Sequence, residues 1–545
     1  MKAYDYVIVG AGTAGCVVAS RLAESGHKVL LLEAGGSDRH WSIQMPAAFG
    51  QNFQGGPFNY CFWTVPQKHL DGRRIFQPRG KVLGGSSSIN GQVYLRGHAL
   101  DYDRWAAKGA PGWSYADVLP YFRRMETYHG PGNDYRGDSG PISVRRGEAS
   151  HPMDQAFLAA GVAAGYPVTQ EVNGFQQEGF GCWDMNIRNG VRDSASYAYL
   201  RHSDHGRTVT VETGVRVSHV DFSGTRAVGV TYRRGGQEHR AAAGAEVILS
   251  GGAFHSPQLL MLSGIGPADQ LHRLGVTVRQ DLAGVGENLR DHIHVLTQYA
   301  ANEPIALNRY RRWDRKIAVG LEWLLTHKGP GSSTHIEVGA FFRSREGIEH
   351  PDAQIHFKPF LLDGWSVSKE HGFNFGVGTM RPASAGTVRL ASADPTAAPL
   401  IDPNFLGTEQ DVIDIRNAMK LTMEIAAQKP FDRLRGRPFG PSHGVSTDAE
   451  VDAYIRANAG SGFHPVGTCR MGLDETAVCT PDLAVRGVEG LRVVDASVFP
   501  DEPSANTNAP VFMVAERAAD ILLGKKLPPQ SAPFYVAPDF ATRQR

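Results

Sequence analysis

Cysteine is scarce: five in 545 residues, at Cys16, Cys61, Cys182, Cys469 and Cys479. They are scattered and form no CxxC pair, so there is neither a disulfide framework nor the spacing of a structural zinc site. A reducing compartment fits this usage. No apolar run reaches the roughly 18 residues of a membrane-spanning helix. Neither sign of charge prevails, with 56 Lys plus Arg against 55 Asp plus Glu and a net charge of +1. Nucleic acid is therefore a poor partner, because phosphate binding needs clustered excess cations. Repeats and low-complexity blocks are also absent. Met1 leads within a few residues into a folded-domain motif, so the reading expects no signal peptide.

What is present is an ordinary globular composition, 41% hydrophobic and 20% charged. The length exceeds what one core supports, so two domains are expected. Glycine is abundant at 63, with 32 prolines. With no Gly-X-Y repeat to explain it, the glycine points to tight turns and close backbone approaches.

The first such place is the N-terminus. Tyr6-Val7-Ile8-Val9 reads as a buried strand and ends in Gly10-Ala11-Gly12-Thr13-Ala14-Gly15. Helical residues run from Cys16 to Ser25 and close at Gly26, and Val29-Leu30-Leu31-Leu32 is a second strand that ends at Glu33 and Ala34. Gly10 makes the tight turn, Gly12 lets the backbone approach a pyrophosphate, and Gly15 lets helix and strand pack closely. Glu33, about 20 residues on, sits where a carboxylate binds an adenosine ribose. A dinucleotide site follows, with Thr13, Ala14 and Ala34 in it. The motif alone does not separate NAD from FAD.

A second cluster spans Gly84, Gly85, Ser86, Ser87, Ser88, Asn90 and Gly91, with Val93 just beyond. Its amides, hydroxyls and carboxamide can wrap another part of a large cofactor. Further along, Glu246-Val247-Ile248-Leu249-Ser250 reads as a buried strand leading into a Gly-Gly turn. Thr208-Val209-Thr210-Val211 and Gly229-Val230-Thr231-Tyr232 read as strands on either side of a turn at Ser223-Gly224. Helices are predicted over Asp411 to Gln428, Asp448 to Ala459 and Val511 to Leu523, the second started by Ser446-Thr447-Asp448.

Further segments complete a family pattern. They are Gly252-Ala253-Phe254-His255-Ser256-Pro257, then Gly284-Val285-Gly286-Glu287-Asn288-Leu289-Arg290-Asp291-His292, then His464-Pro465-Val466-Gly467-Thr468-Cys469-Arg470-Met471-Gly472, and last Val494-Asp495-Ala496-Ser497. Together with the two glycine clusters and in this order, they resemble the glucose-methanol-choline oxidoreductase family, from about residue 3 to 525. Glu322-Trp323-Leu324-Leu325, Glu337-Val338-Gly339-Ala340-Phe341-Phe342 and the tail near Phe534-Tyr535-Val536 are most similar to its choline dehydrogenase-like branch.

The resemblance implies an α/β fold: a Rossmann-like FAD-binding domain interwoven with an α+β substrate-binding domain built on an antiparallel sheet. The first would take 1–155, 200–300 and 460–530, the second 156–199 and 301–459, with 531–545 as a tail. Val217, Asp495 and Ala496 join the cofactor residues. Alcohol oxidation needs a base for the hydroxyl proton and an acceptor for the hydride, and imidazole suits the first task. By resemblance His464 is that base, with hydride passing to flavin N5. Asn506 holds the substrate oxygen, or Asn508 if the register differs. Ile89 stands where some relatives carry a flavin-linking histidine, so the FAD is expected to be non-covalent.

For substrate, Glu337 aligns with an acid that holds a quaternary ammonium in relatives, and Phe463, Tyr60 and Trp63 are candidate cage aromatics. The expected function is oxidation of a primary alcohol to an aldehyde, choline-like or neutral. Electrons pass to a quinone-like acceptor or to oxygen. The alternatives are a peroxide-forming oxidase of neutral or aromatic alcohols, a hydroxynitrile lyase-like activity or a redox-silent flavoprotein. The location expected is cytoplasmic. The basic run Arg309-Tyr310-Arg311-Arg312-Trp313-Asp314-Arg315-Lys316 leaves peripheral contact with the inner face of a membrane open. His292-Ile293-His294 and His202-Ser203-Asp204-His205 have ligand-like spacing but no evident third partner, so no metal site is assigned. Ser256 and Ser263 lack a Gly-x-Ser-x-Gly elbow, which leaves a serine hydrolase unsupported.

Overall fold

The computed structural model describes residues 3–440 and 445–545. Two seven-stranded sheets organise it. In the first, Ala3–Val9 lies between Val29–Glu33 and Gln237–Leu249, all parallel. Thr210–Thr213 extends one side and Leu491–Val493 the other, again in parallel. Parallel strands covered on both faces read as continuous apolar runs. Val29 to Leu32 are accordingly buried throughout. The first half of Gln237–Leu249 pairs antiparallel with Arg226–Arg234, which pairs with Val215–Ser223. The turn at Ser223-Gly224 therefore joins these two strands. Thr210–Thr213, expected to flank that turn, is instead an edge of the parallel part. Val215–Ser223 escaped notice because most of it is only half-buried and shows no clean alternation.

Helix Thr13–Glu24 packs on Asn508–Leu522 beside this sheet. Glu516, fully buried, accepts from Arg21 at 2.9 Å, from Arg124 at 2.8 Å and from Tyr199 at 2.6 Å. Such a paired buried carboxylate ties the two ends of the chain together. Removing either arginine would leave charge uncompensated.

The second sheet is antiparallel, in the order Arg435–Pro438, Ile293–Ala301, Gly372–Thr379, Ala353–Lys358, Val338–Phe342, Gly179–Cys182. Period-two alternation gives it two different faces. Ile293, Val295, Phe375, Val377, Ile355 and Phe357 form one, in a core shared with helices Pro152–Ala163 and Glu409–Ala426. His294, Leu296, His356, Lys358, Gly376 and Gly378 alternate with them, and all but Gly378 line a cavity. Residues 293–300, expected in the first unit, belong to strand Ile293–Ala301 of the second sheet. The fold is thus α/β, with a Rossmann-like half and an antiparallel half.

The predicted helices form at Glu409–Ala426, Asp448–Asn458 and Asn508–Leu522. Thr447 caps the second through a capping box with Glu450. The basic run that begins at Arg309 leads into a helix, Trp313–Thr326, that is not among those predicted from the sequence. Trp323 is its single buried residue, whereas Trp313, Ile317, Leu321, Leu324 and Leu325 are exposed. Among the described residues no helix is long and apolar enough to cross a membrane.

Candidate active site

One cavity of about 1540 Å³ runs past residues of both sheets. Its first end is made by the N-terminal motif. Gly10 has φ +100°, and a Cβ there would meet the Ser250 carbonyl oxygen at 2.4 Å. A Cβ on Gly15 would lie 1.9 Å from the Gly10 carbonyl oxygen, so helix and strand touch there. Gly15 is a packing position and does not line the cavity. Gly12 caps the helix without a side chain, which leaves the first-turn amides directed outward. Thr13, Ala14, Glu33 and Ala34 line the cavity beside it. The Glu33 carboxylate accepts from the Ala11 amide at 2.9 Å and the Gly35 amide at 2.7 Å. Burial pushes it up to about 7 in spite of these bonds.

The second glycine cluster meets the first: a Cβ on Gly85 would lie 2.7 Å from the Gly12 Cα. Ser86, Asn90, Gly91, Val93, Val217 and Ala496 line the same cavity. Asp495 does so too, and its carboxylate accepts from the Gly252 amide at 2.8 Å and the Ser256 hydroxyl at 2.5 Å. Burial raises the Asp495 carboxyl above the usual range.

The other end centres on His464. Its backbone amide donates to Asp291 Oδ1 at 2.8 Å. Phe463, just before it, has φ +66°, a left-handed conformation uncommon for an aromatic residue. That turn is held by the Ser461 hydroxyl, which accepts from the Phe463 amide at 2.7 Å, and by Arg79, which donates to the Phe463 carbonyl at 2.6 Å. His464 Nδ1 lies 2.9 Å from His292 Nδ1, and His464 Nε2 lies 3.1 Å from Asn506 Nδ2.

The proton positions follow from the partners. His292 Nε2 faces the Met380 carbonyl at 2.9 Å, and a carbonyl only accepts. A neutral His292 then offers a lone pair at Nδ1, so His464 donates from its own Nδ1. The lone pair of His464 is left on Nε2, toward Asn506 and the cavity. Glu502, 3.5 Å from His292, would favour an imidazolium if ionised. Burial raises the Glu502 carboxyl well above the usual carboxylate range, which favours its neutral form. Burial also holds His292 down to about 4. Burial, then the neighbouring imidazoles and Arg79, hold His464 well below the usual histidine range. Asn506 Oδ1 accepts from Gln354 Nε2 at 3.2 Å. His356 also hydrogen-bonds Asn506, while its Nδ1 accepts from Trp183 Nε1 at 3.0 Å. The Asn506 amide NH₂ is thereby turned toward His464. Asn508 instead accepts from the Thr13 hydroxyl at 2.9 Å, at the cofactor end.

The four candidate substrate residues diverge. Phe463 joins a cluster of rings with Phe53 at 5.3 Å and Trp365 at 6.1 Å, near His464. Tyr60 does not join it. It stacks on Phe62 at 5.3 Å and lies 4.5 Å from His255, and Glu33 acts on its hydroxyl. It belongs to the cofactor end. Glu337 does not line the cavity. Its carboxylate accepts from the Ser333 hydroxyl at 2.6 Å and the Glu148 amide at 3.1 Å. Trp63 lines the rim, 5.1 Å from Phe76.

Two family models described as GMC oxidoreductase match residues 4–294 and 382–515. The chain belongs to the GMC oxidoreductase family. The human mitochondrial choline dehydrogenase is 49% identical to it, over 99% of this chain and 93% of that one. An oxygen-dependent choline dehydrogenase of Vibrio vulnificus is 48% identical, over 99% and 98%. Among solved structures, a formate oxidase variant of Aspergillus oryzae matches with a TM-score of 0.89 at 26% identity, over 96% and 98%. The pyridoxine 4-oxidase of Mesorbium loti matches with 0.85 at 28%, over 95% and 98%.

This GMC oxidoreductase is an FAD-dependent alcohol oxidoreductase, and its residues fit the cofactor. Two abutting glycine segments, an uncapped helix N-terminus and a buried acid at a strand end form one cradle for a dinucleotide. The sequence did not single out His356, Lys358 or Gln354; it offered His294 only as ligand-like spacing, and His292 as that and as the end of a family segment. Both of those face His464 instead, the His294 ring at 6.4 Å. The signal was alternation: polar residues at 294, 356 and 358 between the apolar ones at 293, 295, 355 and 357. Of the other pair, His202 packs on Tyr197 at 4.7 Å, and the side chain of His205 lies outside the described residues.

Proposed function

We propose that the protein oxidises a primary alcohol to an aldehyde with non-covalently held FAD, His464 taking the hydroxyl proton. The observation that carries this is the 3.1 Å approach of His464 Nε2 to Asn506 Nδ2, inside the same cavity as the dinucleotide cradle. A substrate hydroxyl between them donates to Nε2 and accepts from Asn506. As the proton moves to His464, the Asn506 NH₂ steadies the oxygen that gains charge. His292 keeps the acceptor nitrogen pointed at the substrate. Asp291, Ser461 and Arg79 fix the backbone that carries the imidazole. When bound, the flavin supplies the acceptor for the hydride that leaves the same carbon. Ile89, buried and without a nucleophile, supports a non-covalent cofactor. The FAD unit would hold the first sheet (1–155, 200 to about 292 and 460–530), and the substrate unit 156–199 and about 293–459.

Choline is the substrate named for two relatives, one of them oxygen-dependent; neutral alcohols are the other class considered, and a quinone-like acceptor or oxygen takes the electrons. Mixing the yellow protein anaerobically with choline and, separately, with 1-hexanol and benzyl alcohol tests the redox reading. Bleaching of the flavin by an alcohol is the expected result. No bleaching by any would favour the lyase or redox-silent alternatives. The speed at which air restores the colour separates oxidase from dehydrogenase.

The exposed apolar stripe of Trp313–Thr326, flanked by Arg309, Arg311, Arg312 and Arg315, is the surface we assign to peripheral membrane contact. Trp313 fluorescence is expected to shift to the blue with phosphatidylglycerol vesicles and not with phosphatidylcholine vesicles. Equal response to both, or none, would remove that assignment.

A further inference from the structure

The substrate end of the cavity carries a charge with no counterpart. Lys358 lies on the polar face of the second sheet, at the end of strand Ala353–Lys358. Its ammonium sits over Gly376: a Cβ there would be 2.9 Å from Nζ. Its hydrogen-bond partner is neutral, Asn374 Oδ1 at 3.3 Å. Among the described residues no carboxylate lies within ion-pair distance of it, and both it and Gly376 line the cavity. Lys358 is half-buried, and an ammonium partly withdrawn from water without an anion is costly unless something arrives to pair with it.

The surroundings sharpen the point. Gly376 and Gly378 sit two residues apart on the central strand of this face, so Lys358 and His294 are about 7 Å apart by strand rise. His294 in turn lies 6.4 Å from His464 between ring centres. Lys358 is therefore roughly two side chains from the proposed base, across a floor opened by missing side chains. Cavity-lining carboxylates among the described residues are Glu33, Asp495 and Asp363. The first two belong to the cofactor end. Asp363 is exposed, on the hairpin Leu362–Asp363 and Ser366–Val367 at the rim. Glu337, the acid expected to hold an ammonium, is engaged elsewhere. A quaternary ammonium on this floor would meet a like charge and no opposite one.

We infer that this site takes an alcohol bearing a carboxylate or other anionic group several bonds from its hydroxyl carbon, with Lys358 binding the anion. This rests on the reading that His464 and Asn506 hold the hydroxyl. Lys358 acts in specificity and takes no part in the chemistry. Burial lowers its ammonium to about 8, so it still carries a proton at neutral pH, and an anion beside it would strengthen that.

The test compares anaerobic flavin reduction by 4-hydroxybutanoate and 6-hydroxyhexanoate with 1-butanol, 1-hexanol and choline. At least one hydroxy acid is expected to reduce the flavin tenfold or more faster, per unit concentration, than the alkanol of its length and than choline. In Lys358→Met that preference over the alkanol is expected to fall at least tenfold. Lys358→Gln serves if the methionine variant loses its flavin. Alkanols or choline matching the hydroxy acids, or a preference unchanged in the variants, would overturn the inference while leaving the alcohol-oxidation reading intact. If no probe reduces the flavin, that reading falls, and binding alone decides. Hexanoate, which has no hydroxyl, should then perturb the oxidised flavin spectrum of the unsubstituted protein and not of the variant. No difference between them would sink the anion site as well.

Discussion

Replacing His464 by alanine is expected to leave a yellow protein whose flavin is reduced about a hundred- to ten-thousandfold more slowly by its alcohol, the range for loss of a positioned general base. FAD content should change little, because His464 stands at the far end of the cavity from the Gly10–Gly15 turn. Stopped-flow reduction under nitrogen measures the rate directly. Full-speed reduction by the variant would end the mechanism proposed for this residue. The pH dependence of the unsubstituted protein has a definite sign. Burial and neighbouring imidazoles hold His464 well below its ordinary range, so it is the neutral, proton-accepting form that persists as pH falls. Reduction by a neutral alcohol, which does not depend on the Lys358 charge, should thus be level from pH 8 to 6 and weaken only at more acid pH. A rate that halves near pH 6.5 would mean that His464 titrates as though exposed.

Gly15→Val should abolish both cofactor retention and much of the stability. Even a single carbon there would sit 1.9 Å from a backbone oxygen of the adjoining strand, and neither partner is a flexible side chain. Overpacking of this kind costs about 1–3 kcal/mol or more. The protein is expected to purify colourless, with a lowered thermal midpoint. Gly12→Ala provides the contrast. Its backbone φ is −74°, and its new carbon would find only the Ser250 carbonyl oxygen, at 3.9 Å. That variant should fold with the stability of the unsubstituted apoprotein yet bind FAD more weakly, since the added methyl enters the cofactor space. Equal flavin content in both variants would show that Gly15 is not the contact that joins helix to strand.

These two sites differ in how well the sequence announced them. The glycine turn is local: strand, turn, helix and acid follow one another within 36 residues, and each glycine has a reason that neighbours in the chain supply. His464 was legible through its surrounding motif. Its proton arrangement was not, because His292 and Met380 come from separate segments brought together only by the second sheet. Glu337 failed for the same reason in reverse. Its place in the pattern suggested a ligand, but the Ser333 hydroxyl and the Glu148 amide occupy its carboxylate. Tyr60 was assigned to the wrong end of the cavity because nothing in the chain order says that residue 60 lies beside residue 33. Lys358 looked like any strand lysine until its neighbours were known.

The alternation in the second sheet has a consequence for how such a protein diverges. Odd-numbered positions such as 293, 295, 355 and 357 carry the burden of folding, while 294, 296, 356 and 358 face the cavity. Substrate preference can therefore drift by single replacements that leave the interior untouched. A combinatorial library confined to positions 294, 296 and 358, with His356 kept because it orients Asn506, should stay folded while exploring new alcohols.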